Sequence, residues 1–210
     1  MKSSGQHAVT INLSNPHTVW IRLENVLKIV LIGIQGSGKS TQGNLLSEKL
    51  KVPYLSTGHI LRELSKEKTR LGRYIKETIN AGVLVPDSRM IPIVEEYLTR
   101  PEYVGGYILD GFPRTVAQAK VFNGQIEKVI YLNVTDKEAL WRLSYREEDE
   151  AADREDATLL AIRKRIELFH EYTEPVLEFY EKIDKLVEIN GEQEIEKIHL
   201  EIMHKLKAVK

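Results

Sequence analysis

Residues 33–40 have the composition and spacing of a loop that binds phosphate groups. They read Gly-Ile-Gln-Gly-Ser-Gly-Lys-Ser and satisfy the pattern GxxxxGK[ST]. Glycine permits backbone angles that other residues resist, so successive N–H groups can converge on phosphate oxygens. Lys39 would add a positive charge at the β- and γ-phosphates, and the Ser40 hydroxyl can ligate Mg²⁺. We therefore predict a nucleoside triphosphate site that contains Gly36, Ser37, Gly38, Lys39, Ser40 and Thr41.

A second chemical group follows a later apolar segment. Residues 107–109 are Tyr-Ile-Leu, and Asp110 comes directly after them. In doubly wound sheets ligands bind at the carboxyl ends of the strands, where such an aspartate would lie. An aspartate after a strand is often only a helix cap. Beside a phosphate loop, we interpret it as a residue that holds Mg²⁺ through water.

The pattern of apolar residues in the rest of the chain predicts the strands and helices that position these residues. Short apolar runs alternate with longer amphipathic stretches from Val26 onwards, which predicts an α/β fold with a doubly wound, five-stranded parallel sheet and helices on both faces. The predicted strands are 26–32, 54–55, 107–109, 129–134 and 186–189. The predicted helices are 40–51, 115–122, 137–146, 158–182 and 194–207.

Three stretches depart from this alternation. Residues 58–87 predict mainly helix without a strand, with a helix stop at Ala81-Gly82. Residues 147–156 are almost entirely charged and predict an exposed loop. Residues 1–25 contain two alternating runs around a turn sequence, which fits either a β-hairpin or a disordered, tag-like leader.

Composition limits the classes of protein to which this chain can belong. It has 210 residues, 42% of them hydrophobic, which suits one domain with a sizeable core. The net charge of −1 gives no support for nucleic-acid or membrane binding. The absence of cysteine excludes disulfides, thiolate zinc sites and cysteine catalysis. We expect a soluble, cytoplasmic monomer.

Several further motifs carry a resemblance to a known family. Residues 110–115 read Asp-Gly-Phe-Pro-Arg-Thr and precede Gln118, residues 55–62 read Leu-Ser-Thr-Gly-His-Ile-Leu-Arg, and residues 82–87 read Gly-Val-Leu-Val-Pro-Asp. Arg142, Arg146, Arg154 and Arg165 follow in order, with Tyr-Thr-Glu-Pro at 172–175 and Ile-Asn-Gly at 189–191. Residues 26–207 thus resemble nucleoside monophosphate kinases. Within that family, they resemble the adenylate kinases that have a short lid.

The resemblance implies reversible, Mg²⁺-dependent transfer of a phosphoryl group from ATP to AMP, giving two ADP. It implies a kinase domain over residues 26–210, with an AMP-binding segment at 57–87 and a short lid at 147–156. It also implies a cis peptide bond between Phe112 and Pro113. The expected catalytic residues are Lys39, Arg114, Arg146, Arg154 and Arg165. Arg142, Arg146 and Gln193 would join the phosphate loop in binding ATP, and AMP would meet Thr57, Arg62, Val85, Gly111, Arg114, Gln118, Arg154 and Arg165.

Charge considerations support the same reaction. ATP and AMP together carry roughly five or six negative charges, and catalysis is mainly a matter of neutralising and aligning them. Arginine suits this task because its planar fork binds phosphate oxygens in pairs.

Two residues depart from the family pattern, and two alternatives stay open. His59 stands where the family usually has Asp, and Ala157 replaces the second Asp after the lid arginine. A histidine cannot reproduce a negative charge, so Mg²⁺ handling, rate or acceptor choice can differ here. The alternatives are a UMP/CMP kinase and a nucleotide-binding protein with weak transfer activity. Thr57 and Gln118 favour AMP, since pyrimidine kinases of this family usually have Ala and Asn at these positions.

Overall fold

Five parallel strands form the centre of the fold. A computed structural model describes residues 27–122, 126–145 and 158–207. The strands are β1 (Leu27–Ile32), β2 (Tyr54–Ser56), β3 (Gly106–Asp110), β4 (Lys128–Asn133) and β5 (Leu186–Asn190), in the spatial order β2-β3-β1-β4-β5. Each predicted strand is confirmed, with ends that differ by at most one residue.

The central strand explains why the apolar runs are continuous. β1 pairs with β3 on one side and with β4 on the other. Val30 and Ile32 belong to the core cluster on one face of the sheet, and Ile29 and Leu31 belong to the cluster on the other face. Because both faces are buried, every position of such a strand favours an apolar side chain.

Helices cover both faces, as predicted. They are α1 (Lys39–Leu50), α2 (Thr57–Lys66), α3 (Arg70–Asn80), α4 (Asp87–Leu98), α5 (Val116–Phe122), α6 (Asp136–Ser144), α7 (Leu159–Leu168), α8 (Glu174–Lys182) and α9 (Ile195–Lys207). Leu46 of α1 and Ile202 of α9 pack on one face. Val94 of α4, Ala119 of α5 and Val176 of α8 pack on the other.

The predicted helical stretch at 58–87 forms the pair α2 and α3. Ser56 caps α2 by accepting from the His59 backbone N–H, and Thr69 caps α3 by accepting from the Gly72 N–H. The predicted stop is confirmed: α3 ends at Asn80 and Gly82 has a φ of +70°. A Cβ at Gly82 would lie 2.6 Å from the carbonyl oxygen of Ala161, so glycine is required there for space as well as for backbone angle.

The long helix predicted at 158–182 is continuous but contains a wider turn. α7 passes into a π-helical segment, Phe169–Thr173, which passes into α8. Pro175 lacks an N–H, and its ring would collide with the carbonyl four residues earlier in a regular helix. The wider turn avoids this collision, and the Glu174 N–H donates to the Phe169 carbonyl instead. Helical periodicity predicts the helix but not this change of pitch.

Some predictions fall outside the described residues. They are the hairpin or leader at 1–25, the charged lid at 147–156, and the residues Arg146, Arg154 and Ala157. The Phe112–Pro113 peptide bond is cis, as expected. The division into an AMP-binding segment and a lid stays a prediction.

Candidate active site

Three neighbouring strands end at one cavity of about 390 Å³. The phosphate loop follows β1, Thr57 follows β2, and Asp110 ends β3, and residues from all three places line the cavity. Because the strands are adjacent and parallel, their carboxyl ends meet at the same edge of the sheet. This edge brings together motifs that are far apart in the sequence.

The phosphate loop is shaped by two glycines with left-handed backbone angles. Gly36 has a φ of +91° and Gly38 a φ of +88°. No side chain caps the first turn of α1, which begins at Lys39, so its N–H groups remain for a ligand. The Lys39 ammonium bends over the loop and donates to the Gly33 and Ile34 carbonyls, each at 2.8 Å. The loop therefore presents oriented N–H dipoles and one full positive charge.

Asp110 has a carboxylate oxygen that could bind a hydrated Mg²⁺. One carboxylate oxygen, Oδ2, accepts from the Tyr54 hydroxyl at 2.7 Å. The other, Oδ1, is buried and has no hydrogen-bond partner among the described residues. Such an oxygen is costly unless it meets a donor, water or cation. Ser40 lines the same cavity.

The donor set fits Mg²⁺ better than a metal that needs a full protein cage. Mg²⁺ commonly takes one or two protein oxygen ligands and completes its shell with water and substrate phosphates. Within the described ranges, no group of three or more His, Asp or Glu residues could hold a metal by itself. Asp110 and Ser40 therefore suit a hydrated Mg²⁺ that arrives with a nucleotide.

Tyr54 is held as a hydrogen-bond donor to Asp110. Burial, reinforced by the nearby Asp110 carboxylate, raises the pKa of Tyr54 above its usual value. Its ring packs on α1 at Gly43, where a Cβ would lie 2.3 Å from the Tyr54 Cε2 atom. The sequence gives no signal for this contact, because a tyrosine at the start of a strand usually only packs.

Three arginines and Lys39 make the cavity cationic. Arg62, Arg114 and Arg165 line it, whereas Asp110 is the single lining carboxylate in the part of the chain that the structure describes. The Arg114 Nε donates to the Gly111 carbonyl at 2.8 Å. Burial lowers the pKa of Arg114, Asp110 raises it and Arg165 lowers it further. An arginine nevertheless stays protonated at neutral pH.

Arg165 connects two sides of the cavity. Its Nη1 donates to the Gln35 Oε1 in the phosphate loop at 3.2 Å, and its Nη2 donates to the Ile79 carbonyl in α3 at 2.7 Å. The guanidinium thus lies between the phosphate loop and the α2–α3 pair.

The cavity is also lined by residues that were predicted to bind AMP. Thr57 is buried and its hydroxyl donates to the Asp110 carbonyl at 3.0 Å. Val85, Gly111 and Gln118 also line the cavity. The Gln118 side chain donates a hydrogen bond to the Asp87 carboxylate. The sequence predicted no role for Asp87, although it is the last residue of the motif at 82–87.

Not every predicted residue reaches the cavity. Ser37 and Thr41 belong to the loop and first turn but do not line it. The Arg142 Nε pairs with the Glu138 Oε1 at 2.7 Å on the surface of α6. The Gln193 amide donates to the Asn190 carbonyl at 3.2 Å and to the Glu201 Oε2 at 2.9 Å. His59 is exposed and lines the cavity.

Comparisons with known proteins agree with this geometry. A sequence model of the adenylate kinase family matches residues 31–185. This chain belongs to that family. The match runs from the last two residues of β1 to beyond the end of α8 and therefore includes every motif that lines the cavity.

Curated relatives cover most of this chain and nearly all of their own length. An adenylate kinase of Azobacteroides pseudotrichonymphae is 40% identical, over 86% of this chain and 97% of that protein. An adenylate kinase of Fusobacterium nucleatum is 37% identical, over 84% and 96%. One from Acetivibrio thermocellus is 33% identical, over 88% and 100%.

Adenylate kinase membership also agrees with the all-parallel sheet and its flanking helices. In the described part of the chain, no helix is long and apolar enough to cross a membrane.

Proposed function

We propose that the protein catalyses the reversible transfer of the ATP γ-phosphoryl group to AMP, giving two ADP. The observation that carries this proposal is the convergence of the phosphate loop and three arginines on one cavity. A phosphate loop alone suits many nucleotide hydrolases. A second set of phosphate-binding cations beside it suits a second phosphorylated substrate, and the curated relatives are named adenylate kinase.

Catalysis in this proposal consists of alignment and charge neutralisation. ATP and AMP bring roughly five or six negative charges, and phosphoryl transfer needs the attacking and leaving oxygens nearly in line. Lys39 and the arginines that line the cavity oppose this charge in a site with one carboxylate among the described residues. No general base is required, because the accepting phosphate oxygen of AMP is already ionised at neutral pH.

The residues divide between the two nucleotides. The N–H groups of the phosphate loop and Lys39 bind the ATP phosphates. Arg62 and Arg114 bind the AMP phosphate, and Arg165, between the phosphate loop and α3, binds the group in transfer. Arg146 and Arg154 would join Arg165, Arg142 would lie against the ATP adenine, and Gln193 would also bind ATP.

Asp110 and Ser40 would hold the hydrated Mg²⁺. When bound, the ion neutralises charge on the phosphate oxygens and helps to align them. Tyr54 keeps one carboxylate oxygen of Asp110 occupied, which leaves the buried Oδ1 for the water shell of the ion.

The experiment that tests the proposal compares acceptors. We expect ATP with Mg²⁺ to convert AMP to ADP much faster than UMP, CMP or dTMP. Lys39→Met should lower the rate by at least about 10²-fold, because it removes a charge that stabilises the transferring group. Lys49→Met, an exposed lysine on the same helix, is the matched control and should keep the wild-type rate. A preferred pyrimidine acceptor, or an unchanged rate in Lys39→Met, would contradict the proposal.

A further inference from the structure

The side-chain amide of Gln118 is held at both of its polar atoms. Gln118 is 2% exposed and lines the cavity. Its Oε1 accepts from the Arg114 backbone N–H at 2.7 Å, and its Nε2 donates to the Asp87 Oδ1 at 2.6 Å. The other Asp87 oxygen, Oδ2, accepts from the Thr115 hydroxyl at 2.8 Å.

These partners allow only one orientation of the amide. A backbone N–H can only donate, and an ionised carboxylate can only accept. A reversed Gln118 amide would place its NH₂ against the Arg114 N–H and its oxygen against the Asp87 carboxylate. Both contacts would be repulsive in a site with almost no access to water, so the observed order of oxygen and nitrogen is fixed.

The fixed amide still has hydrogen-bonding capacity for a ligand. Nε2 has a second N–H, and Oε1 has a second lone pair. An amide with both free can bind a ring nitrogen that accepts together with an amino group that donates, as in adenine and cytosine. Turned over, it would bind a ring N–H together with a carbonyl, as in hypoxanthine and uracil.

We propose that Asp87 is a specificity-determining positioning residue, which fixes the Gln118 amide so that the acceptor site selects amino bases over oxo bases. The proposal rests on the proposed function, since it takes the base of the acceptor nucleotide to meet Gln118. A freely rotating glutamine would accept both kinds of base by turning over. Asp87 and the Arg114 N–H remove that choice before the nucleotide binds.

The test measures selectivity in the full chain. We would determine kcat/KM and the equilibrium dissociation constant for AMP and IMP in the wild type and in Asp87→Asn. Asparagine has the same shape but can donate or accept, so it no longer repels a reversed Gln118 amide, and only the Arg114 backbone N–H then opposes the reversal. We expect the preference for AMP over IMP to fall by at least about tenfold, because a site that enforces the hydrogen-bonding order through one contact instead of two rejects the mismatched analogue less strongly.

Asp136→Asn is the matched control. Asp136 is the first residue of α6, as Asp87 is the first of α4, and it contacts another side chain outside the cavity. Its substitution should leave the AMP-to-IMP ratio unchanged. A general loss of stability would lower both affinities together and would not move the ratio.

A wild-type comparison keeps the inference testable if Asp87→Asn does not fold. Within each ring size the amino base should bind more tightly, AMP over IMP and CMP over UMP. Equal binding within both pairs, or an unchanged ratio in folded Asp87→Asn, would overturn the inference while leaving the kinase activity intact. Selective AMP binding without any ADP formation would instead contradict the proposed function and leave the inference standing.

Discussion

Asp110 shows how one residue depends on contacts that its motif does not reveal. Its carbonyl accepts from Thr57, its Oδ2 accepts from Tyr54, and its Oδ1 is buried without a described partner. The Thr57 hydroxyl holds the backbone of Asp110, and the Tyr54 hydroxyl holds its carboxylate. A cation or its water at the remaining oxygen would relieve the cost of burial.

We predict that Asp110→Asn raises the requirement for Mg²⁺. The substitution keeps the size of the side chain but removes its charge. We expect kcat/KM at limiting Mg²⁺ to fall by about 10–100-fold, with partial recovery at high Mg²⁺. Binding of the Mg²⁺–nucleotide complex, measured by calorimetry, should weaken in parallel.

Asp184→Asn is the control for that change. Asp184 is exposed and has a φ of +56°, a backbone angle that asparagine tolerates as well as aspartate. It should keep the wild-type response to Mg²⁺. A Mg²⁺ titration of Asp110→Asn that superimposes on the wild type would show that Asp110 does not act through the ion.

At the scale of elements, the sequence predicted the strands and helices whose positions depend on the local pattern of apolar residues. Buried strands such as β1 are continuous apolar runs, so their positions follow from the sequence. The π-helical turn before Pro175 depends on how the backbone avoids a collision, and hydrophobic periodicity does not record it. That turn places the Thr173 hydroxyl 3.1 Å from the Arg114 carbonyl, a contact that joins two distant motifs.

His170 connects α6 with the start of α8, and the connection should depend on pH. Its Nδ1 lies 2.7 Å from the Glu174 Oε1, and its Nε2 lies 2.9 Å from the Asp136 Oδ1. The hydrogen bond to Glu174, and then that to Asp136, raise the pKa of His170 above its usual 6.5. The stabilisation is therefore complete below the unfolded pKa and is lost as pH rises through the folded pKa.

We predict that the difference in unfolding free energy between the wild type and His170→Gln is largest in mildly acidic solution and shrinks towards alkaline pH. Urea denaturation across this range measures it. The contacts are exposed, so added salt should reduce the difference. Glu174→Gln removes the contact that contributes most to the raised pKa of His170, so it should flatten the pH dependence of the unfolding free energy. A difference that grows with pH would contradict the assignment.

At the scale of the whole molecule, α2 and α3 pack mainly on each other rather than on the sheet. Arg165 links the end of α3 to the phosphate loop through Ile79 and Gln35. Phosphate oxygens would compete for the same guanidinium. We therefore expect the position of the α2–α3 pair relative to the phosphate loop to depend on bound nucleotides.

We predict that an inhibitor that joins two adenosines through a chain of phosphates slows hydrogen exchange in residues 58–87 and 147–156. Occupying both sites at once should draw these segments together and exclude water. The core strands β1 and β3 serve as the internal control, since their exchange should change little. Equal exchange in the two segments with and without the inhibitor would count against closure.

The site was predictable where a motif carries its own chemistry. The phosphate loop has a recognisable spacing, Asp110 ends an apolar strand, and the cavity arginines lie at positions that the family resemblance indicates. Tyr54 and Asp87 act by holding other residues, and their partners lie 56 and 31 positions away along the chain. No local pattern records such distances, because parallel strands and their loops bring these residues together only in the fold.

The central claim is that this cavity transfers a phosphoryl group between two nucleotides. The most direct measurement follows ATP labelled at the γ-phosphate, mixed with AMP and Mg²⁺, by ³¹P NMR. The account predicts that the label appears at the β-position of new ADP and that two ADP form for each AMP consumed. Label released as inorganic phosphate, or ATP that stays intact with AMP present, would contradict it.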